Sequence, residues 1–206
     1  VNGYLDLSNT PIKELPKKLT VRRSLYLKET LIKELPNDIS IGGLLDLEGS
    51  KIEKLPDNLI VKGYLDLSKT PIKELPDNLK VLRFLNLSNT SVKELPDNLT
   101  IDGDLNLSNT LIEKFPENIS IGGSLDLEGS KIEKLPDNLT VNGYLDPSKT
   151  PIKKLPNNLT VKGFLDLSYT PIRELPENLI VNGDLLLRHT LIEKFPENIS
   201  IGGSLD

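Results

Sequence analysis

Aspartates recur in this sequence at multiples of twenty residues, and each stands two residues after a place that is often aromatic. A column of carboxylates one repeat apart repels itself, so a cation or a basic partner would stabilise it. Exposed aromatic rings beside charged groups are a common composition of protein interfaces. We therefore predict a binding surface made of Tyr64, Phe84, Asp66, Tyr144, Phe164, Asp146, Asp46, Asp126 and Asp166.

Two other interpretations of the carboxylate column stay open at this point. The column would also keep a repetitive β protein soluble and prevent edge-to-edge pairing. Calcium binding is suggested by IGGSLDLEG (121–129), which partly matches the nonapeptide motif G-G-x-G-x-D. The third glycine of that motif is absent and the repeat here is longer, so we expect no metal and no other cofactor.

The chain lacks the residue types that most catalytic sites need. It has no Cys, which excludes a thiol nucleophile, a thiolate metal site and a disulfide. Its one His, His189, stands beside Arg188 at a variable place, where we expect it to be exposed. The net charge of −5 argues against a nucleic-acid partner, and no apolar run is long enough for a membrane-spanning helix. The sequence thus predicts a non-enzymatic protein that does not insert into a membrane.

The aspartates and aromatics belong to a repeat of twenty residues, V-x-G-x-L-D-L-S-x-T-x-I-x-x-L-P-x-N-L-x, whose positions we number from Val1. Ten units and a truncated eleventh (201–206) fill the chain, so we predict a single solenoid domain over 1–206. Unit positions 1, 5, 7, 12, 15 and 19 are apolar. Because so short a unit cannot bury them alone, stacked units must share one continuous core.

Local patterns predict the course of each coil. The L-D-L at positions 5 to 7 alternates like a short strand, and equivalent strands of successive coils must pair in parallel. Pro at position 16, present in all ten complete units, prevents ordinary strand pairing on the return path. The following N-L predicts a turn in which Asn bonds the backbone or adopts a left-handed conformation. The hydroxyl at position 10, as in Thr10, is expected to bond the backbone.

Two segments of the unit resemble leucine-rich repeats. LDLSNTPI (5–12) is similar to the L-x-L-x-x-N-x-L core of that family, and ELPDNL (74–79) is similar to the L-P-x-x-L return of its short proline-containing class, which includes bacterial effectors. The resemblance extends over the whole chain. It implies a leucine-rich-repeat solenoid with a parallel β-sheet on one face, short turns, 3-10 or extended segments on the other, and little α-helix. It also implies protein recognition through the strand-bearing face.

The unit departs from the family pattern in two places. Thr or Ser, as in Thr10, Ser50 and Thr110, stands where the family has Asn, and a stacked hydroxyl can bond backbone in its place. Val or Ile stands four residues before the first strand leucine, where the family has leucine three residues before it. The second departure predicts a different turn into the strand and keeps a generic parallel β-solenoid as the alternative fold.

An eighty-residue duplication distinguishes the core positions of the unit from its surface positions. Segments 41–66 and 121–146 differ at only three places, where Leu44, Ile60 and Lys62 become Ser, Thr and Asn, and none is a core position. The two aromatic clusters would then be two similar sites, four coils or roughly 19 Å apart. Pro147 is the one interruption in the leucine column at position 7. It should leave a ladder bond unmade and make this coil the weakest internal part of the rod.

These patterns favour a binding scaffold whose partner is a protein, basic if the carboxylates take part. Two alternatives stay open: a structural or surface fibre element of a cell envelope or virion, and a targeting module of a larger protein with a catalytic domain outside this chain. We expect the chain to be part of a longer one, because neither end carries a polar cap. Open terminal coils would expose core leucines such as Leu5 and Leu205, which predicts self-association through the ends.

Overall fold

The computed structural model describes residues 1–97, 99–116, 119–137 and 139–206. These residues form twenty short strands and no helix, so none of them belongs to a helix that could cross a membrane. The strands are β1 (Leu5–Asp6), β2 (Lys18–Val21), β3 (Leu25–Tyr26), β4 (Asp38–Ile41), β5 (Leu45–Asp46), β6 (Ile60–Val61), β7 (Tyr64–Asp66), β8 (Lys80–Val81), β9 (Phe84–Asn86), β10 (Thr100–Ile101), β11 (Asp104–Asn106), β12 (Ser120–Ile121), β13 (Leu125–Asp126), β14 (Thr140–Val141), β15 (Leu145–Asp146), β16 (Thr160–Val161), β17 (Leu165–Asp166), β18 (Ile180–Val181), β19 (Leu185–Leu186) and β20 (Ser200–Ile201).

The ten odd-numbered strands form one parallel sheet in chain order. Each residue pairs with the residue twenty places further on, as Leu65 does with Leu85 and Asp66 with Asn86. This register keeps unit positions 5 and 7 on the inner side of the sheet and positions 4, 6 and 8 on the outer side. The prediction of a parallel sheet built from positions 5 to 7 is confirmed.

The ten even-numbered strands form further parallel sheets that the sequence analysis did not predict. β2 to β12 make a six-stranded sheet and β14 to β20 a four-stranded sheet. Most of these strands contain only unit positions 20 and 1, as in Ile60–Val61, where an exposed residue precedes a buried one. A strand of only two residues produces no periodic pattern that could be recognised in the sequence. Their pairing arises because the stacked coils bring equivalent backbone groups together.

The core is a set of apolar columns that run the length of the solenoid. Unit positions 1, 5, 7, 12, 15 and 19 supply it, as predicted, and side chains such as Leu65, Leu67 and Ile72 are completely buried. Each such side chain stabilises the fold by roughly 1.5–3 kcal/mol relative to an exposed one. Burial falls at the last coil, where Leu205 is 53% exposed, whereas Leu5 is half-buried because it packs against the neighbouring core.

The chain leaves each strand of the large sheet through a left-handed residue at unit position 9. All ten residues there have φ between 54° and 65°: Asn9, Glu29, Gly49, Lys69, Asn89, Asn109, Gly129, Lys149, Tyr169 and His189. Asn and Gly adopt this conformation at little cost, but Lys69 is held in it by its N–H bond to the carbonyl of Ser88 in the next coil, 3.0 Å.

The left-handed conformation predicted at unit position 18 occurs at two of the five described asparagines there, and Asn58, Asn78 and Asn198 do not adopt it. Asn158 and Asn178 have φ of 57° and 62°, in the left-handed region. Asn98, Asn118 and Asn138 at the same unit position lie outside the described residues.

The hydroxyl at unit position 10 closes the turn that follows the strand. Thr10 Oγ1 donates to the carbonyl of Leu7 at 2.6 Å, and Thr70 makes the equivalent bond at 2.6 Å. The predicted bonding of these hydroxyls to the backbone is confirmed. Ser50 and Ser130 depart from the pattern, because their hydroxyls are buried and have no hydrogen-bond partner.

Pro147 lies inside the buried column at unit position 7. The nine leucines of that column donate their N–H to the position-6 carbonyl of the next coil, as Leu127 does to Asp146 at 2.7 Å. Proline has no N–H, so the position-6 carbonyl of the next coil receives no hydrogen bond from residue 147. β15 and β17 accordingly pair through a single residue pair, Leu145 with Leu165.

Charged residues at unit positions 13 and 14 cover the return path, which we call the return face. Lys33 pairs with Glu53 at 2.9 Å, and Lys154 pairs with Glu174 at 3.5 Å. Charges therefore pair between neighbouring coils. All four side chains are more than half exposed, and such pairs contribute only about 0–1 kcal/mol each.

Candidate protein-binding face

The outer side of the ten-stranded sheet carries every residue that the sequence analysis placed in a binding surface. We call the side chains at unit positions 4, 6 and 8 the strand face. Each column of this face presents one side chain per coil, and the coils are about 4.8 Å apart. The fold groups Tyr64, Phe84 and Asp66 in one cluster, with Asp46 one coil earlier. Four coils further on it groups Tyr144, Phe164, Asp126, Asp146 and Asp166.

The position-6 aspartates have a structural task that the sequence analysis missed. Asp66 Oδ1 accepts the N–H of Ser68 at 2.8 Å and its hydroxyl at 2.6 Å. The same bond to the N–H two residues ahead is made by Asp46, Asp126, Asp146 and Asp166. It forms an Asx turn that leads the chain from the strand towards the left-handed residue. One oxygen of each carboxylate is therefore engaged inside the fold, and the second oxygen is the more available to a partner.

Burial raises the pKa of three of these carboxyls. For Asp46, Asp126 and Asp146 loss of solvent is the largest cause, and repulsion from the next aspartate in the column acts in the same direction. The hydrogen bonds from the turn lower the pKa of each group without cancelling the increase. Ionisation of these three carboxyls is therefore unfavourable in the fold, mainly because they are partly buried, and repulsion along the column adds to it.

Two aromatic pairs stand in the position-4 column. Tyr64 and Phe84 meet edge to face, with ring centroids 5.8 Å apart and planes at 89°. Tyr144 and Phe164 are stacked, with centroids 4.8 Å apart and planes at 3°. Tyr64 is 46% exposed and Phe164 is 37% exposed, while their partners are half-buried. Each pair therefore offers apolar surface on a backbone that the sheet holds in place.

Charge divides the outer surface around these pairs into two unlike halves. The cationic half comprises residues 20–29, 40–49, 60–69 and 80–89, which hold seven cations and four carboxylates, a net charge of +3. The anionic half comprises the residues eighty places later, 100–109, 120–129, 140–149 and 160–169, which hold two cations and six carboxylates, a net charge of −4. The two aromatic pairs lie at equivalent places in opposite electrostatic surroundings.

Ion pairs show the same contrast. Glu48 in the cationic half bonds Lys28 at 2.6 Å and Lys69 at 2.7 Å. Hydrogen bonds from these two cations lower the pKa of Glu48. The equivalent residue of the anionic half, Glu128, bonds Lys149, and a serine stands where the cationic half has Lys28. The anionic half therefore retains more unneutralised charge on the same backbone framework.

Part of this contrast comes from three cations near the first aromatic pair, which sequence reasoning left out of the binding surface. Lys62, Lys80 and Arg83 stand at unit positions 2, 20 and 3, next to the position-4 column. The exposed Ile60 (50%) and Leu82 (42%) lie among them. A signal was present, since Ile60 and Lys62 are two of the three places where the duplicated segments differ.

A further ring pair lies on the turns. Tyr169 and His189, both at unit position 9, stack with centroids 4.5 Å apart and planes at 23°. His189 is exposed, as expected. No sequence signal indicated the stack, because it depends on both residues adopting the left-handed conformation one coil apart.

The strand face does not have the form of a metal or small-molecule site. Within the described ranges, no group of three or more His, Asp or Glu side chains could hold a metal ion. A surface groove on the return face, between Leu15, Leu31 and Leu35, contains none of the predicted site residues. Similar grooves recur in later coils, so they are a product of the stacking rather than one specific pocket.

No family model matches this chain, and no curated protein shows a significant match. A solved leucine-rich-repeat protein of Leptospira interrogans does match, with 20% identity and a TM-score of 0.54, over 99% of this chain and 67% of that protein. The chain has the leucine-rich-repeat fold. The predicted solenoid class, with its parallel sheet and absence of long helices, is confirmed, while the short proline-containing subclass stays a prediction.

Two structures of a leucine-rich-repeat effector also match this solenoid. YopM of Yersinia enterocolitica is 20% identical over 97% of this chain and 59% of YopM, with a TM-score of 0.41. YopM of Yersinia pestis is 18% identical over 96% of this chain and 88% of that protein, with a TM-score of 0.33. At these TM-scores they add nothing to the fold assignment, and the function has to be argued from the surface.

Proposed function

We propose that residues 1–206 act as one leucine-rich-repeat scaffold that binds a protein partner through the strand face. The observation that carries the proposal is the exposure of two aromatic pairs on a sheet that coil-to-coil hydrogen bonds hold in place. Aromatic rings in preordered positions bury a large apolar area on binding and lose little side-chain entropy.

The carboxylates beside the rings support binding rather than catalysis. The position-6 aspartates from Asp6 to Asp166 each accept an N–H from their own turn, and the same bond recurs at Asn86 and Asn106. A catalytic group usually departs from the local pattern of its scaffold. A column that repeats one structural bond instead presents many equivalent polar contacts, which suits an extended partner.

The test removes each aromatic pair in turn. One variant combines Tyr64→Ser with Phe84→Ser, and the other combines Tyr144→Ser with Phe164→Ser. The affinity of a purified partner, first isolated with the native chain, is then measured by titration calorimetry. We expect at least one double variant to weaken binding by roughly tenfold or more, because buried aromatic anchors dominate interface energies.

A matched control leaves the strand face intact. Lys33→Ser with Glu53→Ser also removes two side chains, from an exposed pair on the return face, and should leave the affinity unchanged. Thermal unfolding of all three variants verifies that the solenoid is intact. Equal affinities for both aromatic variants, the control and the unmodified chain would rule out these two aromatic pairs as the binding surface.

A further inference from the structure

The anionic half presents three aspartates at unit position 6 of adjacent coils. Asp126, Asp146 and Asp166 each use one oxygen for the N–H of the turn. None of the three forms an ion pair within the described part of the chain. In the matching column of the cationic half the repulsion between carboxylates is partly relieved, because Asp66 accepts a hydrogen bond from the side-chain amide of Asn86 at 3.1 Å. Lys149 and Arg188 interact electrostatically with Asp146 and Asp166 but form their ion pairs with other carboxylates. Much of the charge of the three aspartates is therefore left for solvent or a partner to neutralise.

Lys and Arg side chains fit this run of carboxylates and the stacked rings of Tyr144 and Phe164 beside it. The face of an aromatic ring attracts a cation, and the aliphatic part of Lys or Arg covers apolar surface while its charged end reaches a carboxylate. We propose, on the basis of the proposed function, that the anionic half binds an α-helical segment of a partner protein. That segment carries Lys or Arg at positions i, i+3 and i+7.

The spacing of the coils selects the helical conformation. With coils about 4.8 Å apart, the three carboxylates span about 10 Å along the solenoid axis. Residues i, i+3 and i+7 of an α-helix lie at about 0, 4.5 and 10.5 Å along its axis, in step with three coils. In an extended strand, residues on one side are about 6.6 Å apart, so the third would lie more than 3 Å out of register.

The cationic half is a natural internal control for this partner. At the equivalent places it carries Lys62, Lys80, Arg83 and Asn86 instead of Asn, Thr, Gly and Asp. Three added cations and one lost carboxylate outweigh the one cation, Lys162, that the anionic half has in place of Leu82. They repel a basic helix, although the aromatic pair and the backbone register are retained. One chain should therefore bind one helix.

The first experiment compares two designed peptides of identical composition by calorimetry at low salt. In one, lysines stand at i, i+3 and i+7 on one helix face; in the other, they are distributed around the helix, and circular dichroism verifies equal helicity. We expect the first peptide to bind roughly tenfold more tightly, with an affinity that falls as salt is added. Equal affinities, or no binding of either peptide, would overturn the proposal.

The second experiment removes the three charges and keeps the turns. Asp126→Asn, Asp146→Asn and Asp166→Asn preserve the acceptor, because the native Asn86 and Asn106 make the same turn bonds at 3.0 and 2.9 Å. We expect roughly tenfold weaker binding of the registered peptide. A second triple variant, made of Asp57→Asn, Asp77→Asn and Asp97→Asn, loses the same charge from exposed residues at unit position 17. It should change the affinity less than about twofold, and equal effects of the two triple variants would contradict the proposal.

The third experiment introduces a second site into the cationic half. The four substitutions Lys62→Asn, Lys80→Thr, Arg83→Gly and Asn86→Asp give the cationic half the residues of the anionic half, and the stoichiometry should rise from one peptide per chain to two. An unchanged stoichiometry would show that these columns do not define the site. If the peptides fail while an aromatic variant still loses its protein partner, the proposed scaffold function stands and only the basic helix is excluded.

Discussion

The cationic and anionic halves have nearly the same interior and different exteriors. Segments 41–66 and 121–146 keep every core residue and differ at three places. Core side chains are copied because each must fill the space between two similar neighbours. Outward side chains carry no such constraint, so the coils on either side of the duplicated segments can reverse the charge of the surface. A duplicated segment in a solenoid is thus a duplicated framework, and its ligand depends on the columns around it.

The two aromatic pairs show how one small substitution alters a shared framework. Leu44 precedes Tyr64 in the position-4 column, whereas Ser124 precedes Tyr144 and accepts the Tyr144 N–H at 3.3 Å. The smaller serine leaves room for Tyr144 to lie closer to the sheet, where it is half-buried, while Tyr64 is 46% exposed. The two pairs therefore differ in ring geometry as well as in charge, which argues against two similar sites.

The largest expected effect comes from making the cationic half resemble the anionic half at unit position 7. Leu67→Pro would remove the N–H bond from Leu67 to the Asn86 carbonyl, 2.8 Å, and shrink a completely buried side chain. We expect a loss of about 3 kcal/mol or more of unfolding free energy. Urea unfolding measures it, and a loss below about 1 kcal/mol would contradict the buried ladder.

The reverse change should stabilise the anionic half. Pro147→Leu restores the missing donor and fills the column, so we expect a gain on the order of 1–3 kcal/mol. Amide exchange in the coils around 144–148 should slow, because each coil contacts only its neighbours. If stability stays unchanged or falls, the column is not a uniform ladder at this point. A more stable variant that binds its partner less well would instead assign the proline a role in binding.

Ser50 and Ser130 are expected to respond alike, because they occupy the copied interior. Threonine at either place could donate to the position-7 carbonyl, as Thr70 does to Leu67 at 2.6 Å. We expect Ser50→Thr and Ser130→Thr each to add about 1 kcal/mol to the unfolding free energy. Thermal denaturation compares the two, and a clear difference between them would show that the interiors of the two halves are less alike than their sequences.

The raised pKa values of Asp126 and Asp146 predict a pH-dependent effect of removing their charge. A carboxyl whose pKa is raised by folding stabilises the fold most below its unfolded pKa, and that contribution is lost as the pH rises through the folded pKa. Asp126→Asn and Asp146→Asn should therefore stabilise the protein at neutral pH by roughly 0.5 kcal/mol, discounted for solvent exposure. The gain should vanish in acid. A gain that persists there would exclude the electrostatic cause.

The smallest effect should come from exchanging the residue that precedes the stacked pair. Ser124→Leu would place beside Tyr144 the side chain that precedes Tyr64, and the stacked rings should move towards the edge-to-face arrangement. We expect a stability change within about 0.5 kcal/mol, since the position is at the surface. Ring-current shifts in the NMR spectrum report the geometry. Unchanged shifts would mean that residue 124 does not control the stack.

The amino-acid sequence by itself determined the solenoid and its core. The apolar unit positions can be buried only by stacking equal units, so residues such as Leu65 and Ile72 were identified as core from their period alone. The alternation at positions 5 to 7 likewise placed Tyr64 and Asp66 on the outer side of a parallel sheet. These predictions succeed because they depend on spacing, which a sequence displays directly.

Only the tertiary structure decided what the outward residues do. The Asx bond of Asp66 depends on where the Ser68 N–H points, and the stack of Tyr169 on His189 depends on a left-handed turn that neither residue favours. The small sheets exist because coils lie side by side, since two residues at positions 20 and 1 carry no pattern of their own. Such features arise from contacts between residues twenty places apart, and their strength depends on distances and angles that the order of amino acids does not contain.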